Sequence, residues 1–160
     1  TIAYWMMGSL AGAQWGELAV IAPIIIASIL FFWTQSRVLN LMLLGDESAI
    51  TMGTDLHAYR QWYLLISSLI VGFAVYSAGM IGFVGLIVPH VIRMFTGPDH
   101  KRLLPVAALV GAIFLVVADG LCRVIIPHTE LPIGILISMI GAPSFIYLMI
   151  KKTYGFGGSD

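Results

Sequence analysis

The ionisable side chains of this chain offer little that could perform covalent chemistry. Away from the ends of the apolar runs, His90 is the only Asp, Glu, Lys, Arg or His residue within them, and such residues inside a membrane are candidates for function. His90 could relay a proton or contact a substrate, although its place three residues before Arg93 favours an interior hydrogen bond. The chain contains no zinc-peptidase histidine pair, no serine nucleophile elbow and no phosphate-binding glycine loop. We therefore predict that it is not an enzyme and that it holds no metal or cofactor of its own.

A second candidate is the pair formed by Asp119 and Arg123, which stand four residues apart near the end of an apolar run. On a helix this spacing favours an ion pair between neighbouring turns. Alternatively, the Arg123 guanidinium is available to the carboxylates of a partner outside the membrane. The residues by themselves leave both interpretations open.

The composition indicates the medium in which these residues must act. Hydrophobic types make up 59% of the 160 residues, charged types make up 10%, and the mean hydropathy is +0.98. Soluble domains have about a quarter charged residues, so we predict an integral membrane protein. Eight basic and eight acidic side chains cancel, which leaves no basic face for nucleic acid. The lone Cys122 excludes an internal disulfide framework.

The apolar runs predict a single transmembrane domain over residues 1–160, with about five spanning helices and a truncated one before them. The uncharged stretch 62–92 is too long for one span of about 30 Å, so we place a break at 79–82. A turn is expected around Trp15, and we predict a disordered tail at 153–160. The start at Thr1, without an initiator Met or a signal sequence, indicates part of a longer protein. The predicted spans are 18–35, 62–78, 81–95, 103–118 and 131–150.

The longest polar interlude, residues 37–61, is predicted to form two short helices. Gly45 suits the end of the first, the acidic residues after it suit the start of the second, and Gly53 ends that helix. Helices this short need a surface to support them. They could lie on the membrane, or they could dock a cytoplasmic partner. In the second case the side chains presented to the partner would be Leu43, Leu44, Ala49 and Met52.

The basic residues predict the orientation of the helices in the membrane. If the interlude lies inside and the spans alternate, seven of the eight basic residues fall inside, and only Arg123 lies outside. The C-terminus is then cytoplasmic.

Residues 79–93 combine an apolar sequence with glycines at 79, 82 and 85 and with Pro89. In a bilayer such a loosened backbone must be satisfied by neighbouring helices or must line a cavity, and small residues allow close helix approach. We predict a tightly packed inner helix here.

The same stretch carries a family resemblance. Residues 82–93 read G-F-V-G-L-I-V-P-H-V-I-R, which resembles the G-F-x-G-L-x-x-P-H-x-x-R signature of FecCD-type permease subunits. These subunits belong to ABC importers for iron-siderophores, haem and cobalamin. The signature positions in this chain are Gly82, Gly85, Pro89, His90 and Arg93.

Further motifs follow in the order found in this family, and the resemblance implies a role for each. Residues 44–53 match an L-G-x-x-x-A-x-x-x-G segment that presses on the ATP-binding subunit, which makes 37–61 a cytoplasmic coupling segment. Arg123 would face acidic residues of the solute-binding protein. Met6 and Met7 could line the pathway, although single apolar residues more often serve only to pack helices together. Other matching segments are 5–8, 131–134 and 141–143. The implied coupling residues are Leu44, Gly45, Ala49 and Gly53.

The resemblance implies an all-α polytopic fold that is the C-terminal half of a ten-helix permease. It further implies a homodimer in a bacterial or archaeal inner (plasma) membrane. The expected partners are cytoplasmic ATP-binding subunits, which carry ATP and Mg, and a periplasmic or lipoprotein solute-binding protein. The cargo is not specified. Two rivals remain: a secondary transporter with broken helices, which would need charged sites inside the spans, and a membrane anchor without transport activity.

Overall fold

The computed structural model describes residues 2–125 and 131–155, and all regular elements within these ranges are helices. Four of them, α2, α5, α7 and α8, are long and apolar enough to cross a membrane. The prediction of an all-α polytopic membrane protein is therefore confirmed. In chain order the helices are α1 (Ile2–Met6), α2 (Trp15–Thr34), α3 (Ser36–Leu43), α4 (Asp46–Thr51), α5 (Leu56–Ala78), α6 (Val84–Thr96), α7 (His100–Ile125) and α8 (Ile133–Gly155).

The predicted break between α5 and α6 is confirmed, but α6 is shorter than a full span. Gly79 ends α5 with a φ of 73°, and Phe83 precedes α6 with a φ of 62°. Residues 81–83, which were predicted to be helical, belong to the non-helical connection between α5 and α6. The 13 residues of α6 extend about 20 Å, which is less than the hydrocarbon thickness. The predicted span at 81–95 is thus a short apolar helix.

Some helices are longer than predicted, because they continue into polar sequence at one end. The helix α2 begins at Trp15, where a turn was predicted, and α5 begins at Leu56 because the Asp55 carboxylate accepts the His57 amide hydrogen bond at 3.0 Å. At the other end of the chain α8 continues to Gly155, three residues into the predicted tail. The rest of that tail lies outside the described residues.

The core is small and lies among the last three helices. Ile133 and Ile137 of α8 are fully buried against Ala118 and Cys122 of α7. A second cluster joins Val88 and Ile92 of α6 to Leu103 of α7. The surfaces of the long helices are otherwise largely apolar and exposed, as expected of helices that face lipid or other membrane segments.

One end of the bundle collects the basic side chains, and we call it the basic end. Arg60 at the start of α5 pairs with Asp46 of α4, and the Trp33 indole at the end of α2 donates to the Lys101 carbonyl of α7 at 3.0 Å. Arg93 and Lys151 border one cleft. Arg123 lies 22 residues beyond Lys101 on the same helix, about 33 Å away. The charge separation predicted from the sequence is therefore present in the fold.

Candidate functional site

The coupling segment forms two short helices at the basic end, as predicted. Gly45 separates α3 from α4 with a φ of 92° and a ψ of 162°, and Gly53 follows α4 with a φ of 78°. Residues with a Cβ adopt these conformations only with strain. The two glycines therefore set the angle at which α4 leaves α3 and enters the turn before α5.

The side chains of α3 and α4 divide into an inner and an outer set. Ala49 is fully buried, with 0% exposure, so the prediction that Ala49 is presented to a partner is wrong. Its small side chain instead allows α4 to lie close against the bundle. The sequence interpretation missed Ile50, which points outward. The exposed apolar residues, which we call the outer face of the coupling segment, are Leu43, Leu44, Ile50 and Met52.

A group of three polar residues, which we call the polar clasp, joins α3 to the turn between α6 and α7. The Asn40 amide donates from Nδ2 to Asp99 Oδ1 at 2.8 Å, and Asn40 Oδ1 accepts from the His100 backbone N–H at 2.8 Å. The hydrogen bond from Asn40, followed by that from the Lys101 amide, holds the pKa of the Asp99 carboxyl below its usual value. Nothing in the sequence pairs Asp99 with Asn40, which lies 59 positions earlier in the chain.

The signature residues of α6 are more open than predicted. A Cβ built at Gly82 or Gly85 would have no described atom within 4 Å, so these glycines are not sites of close packing within this chain. Residues His90 and Arg93 border a cleft of about 350 Å³ with Lys151. The His90 ring has no hydrogen-bond partner among residues 2–125 and 131–155, and the predicted interior hydrogen bond is therefore absent from this part of the chain.

Close backbone approach occurs instead where the N-terminal segment meets α5 and α8. The Gly134 amide donates to the Met7 carbonyl at 3.1 Å, and the Ser9 amide donates to the Ala78 carbonyl at 2.9 Å. A Cβ at Gly134 would collide with the Met7 carbonyl, and a Cβ at Gly79 would collide with the Trp5 carbonyl. These glycines allow the segment to lie between the two helices.

Met6 and Met7 border a cleft of about 560 Å³ at this junction. Two further methionines, Met80 and Met139, line the same cleft together with the start of α8. Flexible thioether side chains adapt to irregular or varied surfaces. Met80 and Met139 are far from Met6 in sequence, and no sequence spacing connects them.

At the far end of α7, Arg123 pairs with Asp119. Arg123 Nε lies 2.8 Å from Asp119 Oδ2, and the guanidinium side chain remains 60% exposed. The predicted ion pair between neighbouring helix turns is confirmed. The segment 126–130, which includes His128 and Glu130, lies outside the described residues.

No cluster of three or more His, Cys, Asp or Glu side chains suitable for a metal ion occurs among the described residues. The arrangement therefore offers polar hydrogen bonds at the basic end, an apolar cleft at the opposite end, and an exposed cation beyond it.

Known proteins resemble this chain over nearly all of its length. The hemin transport system permease protein HmuU of Yersinia pestis is 44% identical over 148 residues, covering 92% of this chain and 44% of that protein. The cobalamin import system permease protein BtuC of Halobacterium salinarum is 43% identical over 146 residues, covering 91% of this chain and 39% of that protein. The chain thus spans less than half the length of these relatives.

A solved structure agrees with the fold. It is an inward-facing conformation of a transporter assigned to the metal-chelate type of ABC transporter. It superposes with a TM-score of 0.87 at 35% identity, over 94% of this chain and 48% of the other. The model of the FecCD transport family matches residues 1–151, and the chain therefore belongs to that family.

Proposed function

We propose that this chain is the C-terminal half of a permease subunit in an ATP-driven importer of metal chelates of the iron-siderophore, haem or cobalamin type. The observation that carries the proposal is the outer face of the coupling segment, an exposed apolar surface held at the basic end by polar contacts to α5 and α7. The relatives HmuU, a hemin transport permease, and BtuC, a cobalamin import permease, support this class of cargo.

The permease works as a homodimer in a bacterial or archaeal inner (plasma) membrane, with the basic end and the C-terminus in the cytoplasm. Excess Lys and Arg on one side supports this orientation. Cytoplasmic ATPase subunits bind ATP and Mg, and they contact the outer face of the coupling segment. Leu44 and Ile50 supply apolar contact, whereas Gly45, Ala49 and Gly53 position the two helices that carry them.

The opposite end faces the solute-binding protein. Arg123 uses Nε to bind Asp119, and its 60% exposure supports docking of a partner carboxylate on the same guanidinium. Asp119 then orients Arg123 for this contact. The cargo passes the methionine cleft lined by Met6 and Met7, whose flexible thioether side chains adapt to surfaces of different shape.

Copurification of the intact protein with its candidate ATPase tests the proposal. We expect Leu44→Glu and Ile50→Glu to weaken ATPase binding by about tenfold or more, because each places a charge in an apolar contact. Val124→Glu is the matched control, since Val124 is equally apolar and 78% exposed but lies at the other end. It should leave the ATPase bound.

Two results would refute this reading. If the unaltered protein binds no ATPase, the secondary-transporter and anchor alternatives are favoured. If both glutamate variants retain the ATPase, the outer face is a membrane-surface element, and the contact lies elsewhere.

A further inference from the structure

The Asn40 side chain reaches from α3 across to the start of α7. Three hydrogen bonds meet at its amide: Nδ2 donates to Asp99 Oδ1, and Oδ1 accepts from the backbone N–H and faces Nδ1 of His100, all at 2.8 Å. The residues are partly buried and 59 or 60 positions apart in sequence. The contact is therefore tertiary, and it joins two elements that the chain does not connect directly.

The partners fix the orientation of this amide. A carboxylate oxygen can only accept, so the group facing Asp99 must be the Asn40 NH₂, and a backbone N–H can only donate, so the group facing His100 must be the carbonyl oxygen. His100 Nδ1 then carries the proton. Asn is suited to the position because it supplies a donor and acceptors on one short side chain.

The two ends of the coupling segment are attached to the bundle with different strength. At α4 the Asp46–Arg60 pair is 59% and 50% exposed, and exposed ion pairs contribute little to rigidity. At α3 the polar clasp is less exposed and includes a hydrogen bond to a carboxylate, which is stronger than a neutral one. The Trp33 indole adds a bond from the end of α2 to the Lys101 carbonyl.

We infer that Asn40 is a positioning residue through which displacement of the coupling segment reaches α7. The helix α7 runs from the clasp to Arg123 and packs on α6 near its start and on α8 near its end. A push on α3 therefore moves an element that extends to the opposite end of the bundle. This inference rests on the proposed function, because it needs an ATPase that displaces α3.

An exchange of the two side chains tests the clasp directly. In Asn40→Asp two carboxylates face each other, and the clasp should open. In the double variant Asn40→Asp with Asp99→Asn the donor and acceptor trade places, and the three hydrogen bonds between residue 40 and residues 99 and 100 can form again. The Lys101 amide, which donates to the same Asp99 oxygen, loses its acceptor in this variant. Asn40→Ala is a milder single variant, for the case that the charged one does not fold. Asp46→Asn is the control, because it changes an ion pair of the same segment to a neutral hydrogen-bond acceptor and does not involve α7.

Two measurements separate this inference from the proposed function. Amide hydrogen exchange of His100, whose N–H donates to Asn40 Oδ1, reports on the clasp in the purified intact permease. Substrate transported per ATP hydrolysed, in vesicles with the ATPase and binding protein, reports on coupling. We expect the single variants to exchange about tenfold faster and to transport several-fold less per ATP while still binding the ATPase. The double variant should restore both quantities, and Asp46→Asn should leave the exchange of the His100 amide unchanged.

A loss that the double variant fails to restore would overturn the inference, because the effect would then be general damage. Faster exchange with unchanged transport per ATP would also overturn it. If the unaltered permease shows no ATP-dependent uptake, the proposed function fails, whereas the exchange data still decide whether Asn40 fastens α3 to α7.

Discussion

In this protein, two backbone segments come into close contact at positions where glycine supplies no Cβ. Gly79 and Gly134 sit where a Cβ would collide with a carbonyl of the N-terminal segment, whereas the space around Gly85 is open. The first two are fixed by contact, and Gly85 is not fixed by any described neighbour. Membership in the family signature therefore does not predict whether a glycine lies in close contact with other residues of this chain.

Gly134→Ala tests the importance of this contact for stability. The added methyl group must displace the Met7 carbonyl, which also accepts the Gly134 amide hydrogen bond. We expect the free energy of unfolding to fall by about 1–3 kcal/mol, as in other overpacked sites. Thermal unfolding of the purified protein in detergent measures the change.

Gly85→Ala is the control for that experiment. Gly85 lies inside α6, where Ala stabilises a helix by about 1 kcal/mol relative to Gly. Stability should stay the same or rise. If Gly85→Ala destabilises as strongly as Gly134→Ala, a membrane segment beyond the described residues packs on Gly85.

Helix starts at the basic end depend on acidic caps. Asp55 caps α5 by accepting the His57 amide bond, and Asp99 accepts the Lys101 amide bond as α7 begins. Each cap satisfies a backbone N–H that the helix leaves free. Both helices thereby extend into polar sequence that the hydropathy pattern assigns to loops.

Asp55→Ala removes one of these caps. We expect a loss of about 1 kcal/mol in the free energy of unfolding, because the His57 amide then lacks its partner in the turn. Arg60→Ala removes the nearby exposed ion pair and should change stability by less than about 0.5 kcal/mol. Denaturation of the two variants side by side measures the difference. An equal loss in both would mean that the exposed ion pair stabilises the start of α5 as much as the cap does.

The elements show which features the sequence could predict. The long helices were predictable because apolar length alone specifies them, and the two coupling helices were predictable from Gly45 and Gly53. Their side-chain directions were not, since Ala49 and Ile50 are adjacent and only the packed bundle decides which one is buried. The Asn40–Asp99 contact depends on how α3 meets the α6–α7 turn, and no local pattern encodes it.

On the scale of the whole molecule, charge and contact surfaces are separated along the bundle. Coupling helices, clasp and most basic residues share one end, and the methionine cleft lies towards the other, beyond which Arg123 is exposed. For an importer driven from inside, the basic end must face the cytoplasm. The proposed function therefore requires the orientation that the charge distribution predicts.

Cysteine labelling of intact cells tests this orientation. The buried Cys122 is first replaced by Ala in the intact protein, and Glu47→Cys or Val124→Cys is then introduced, both at exposed positions. A maleimide that cannot cross the membrane should label Val124→Cys in intact cells, and should label Glu47→Cys only after the membrane is opened. The Cys122→Ala protein without a new cysteine controls for background. Labelling of Glu47→Cys in intact cells would show that the coupling segment lies outside the membrane. A cytoplasmic ATPase could not then reach Leu44 or Ile50. Such a result would contradict both the predicted orientation and the importer mechanism.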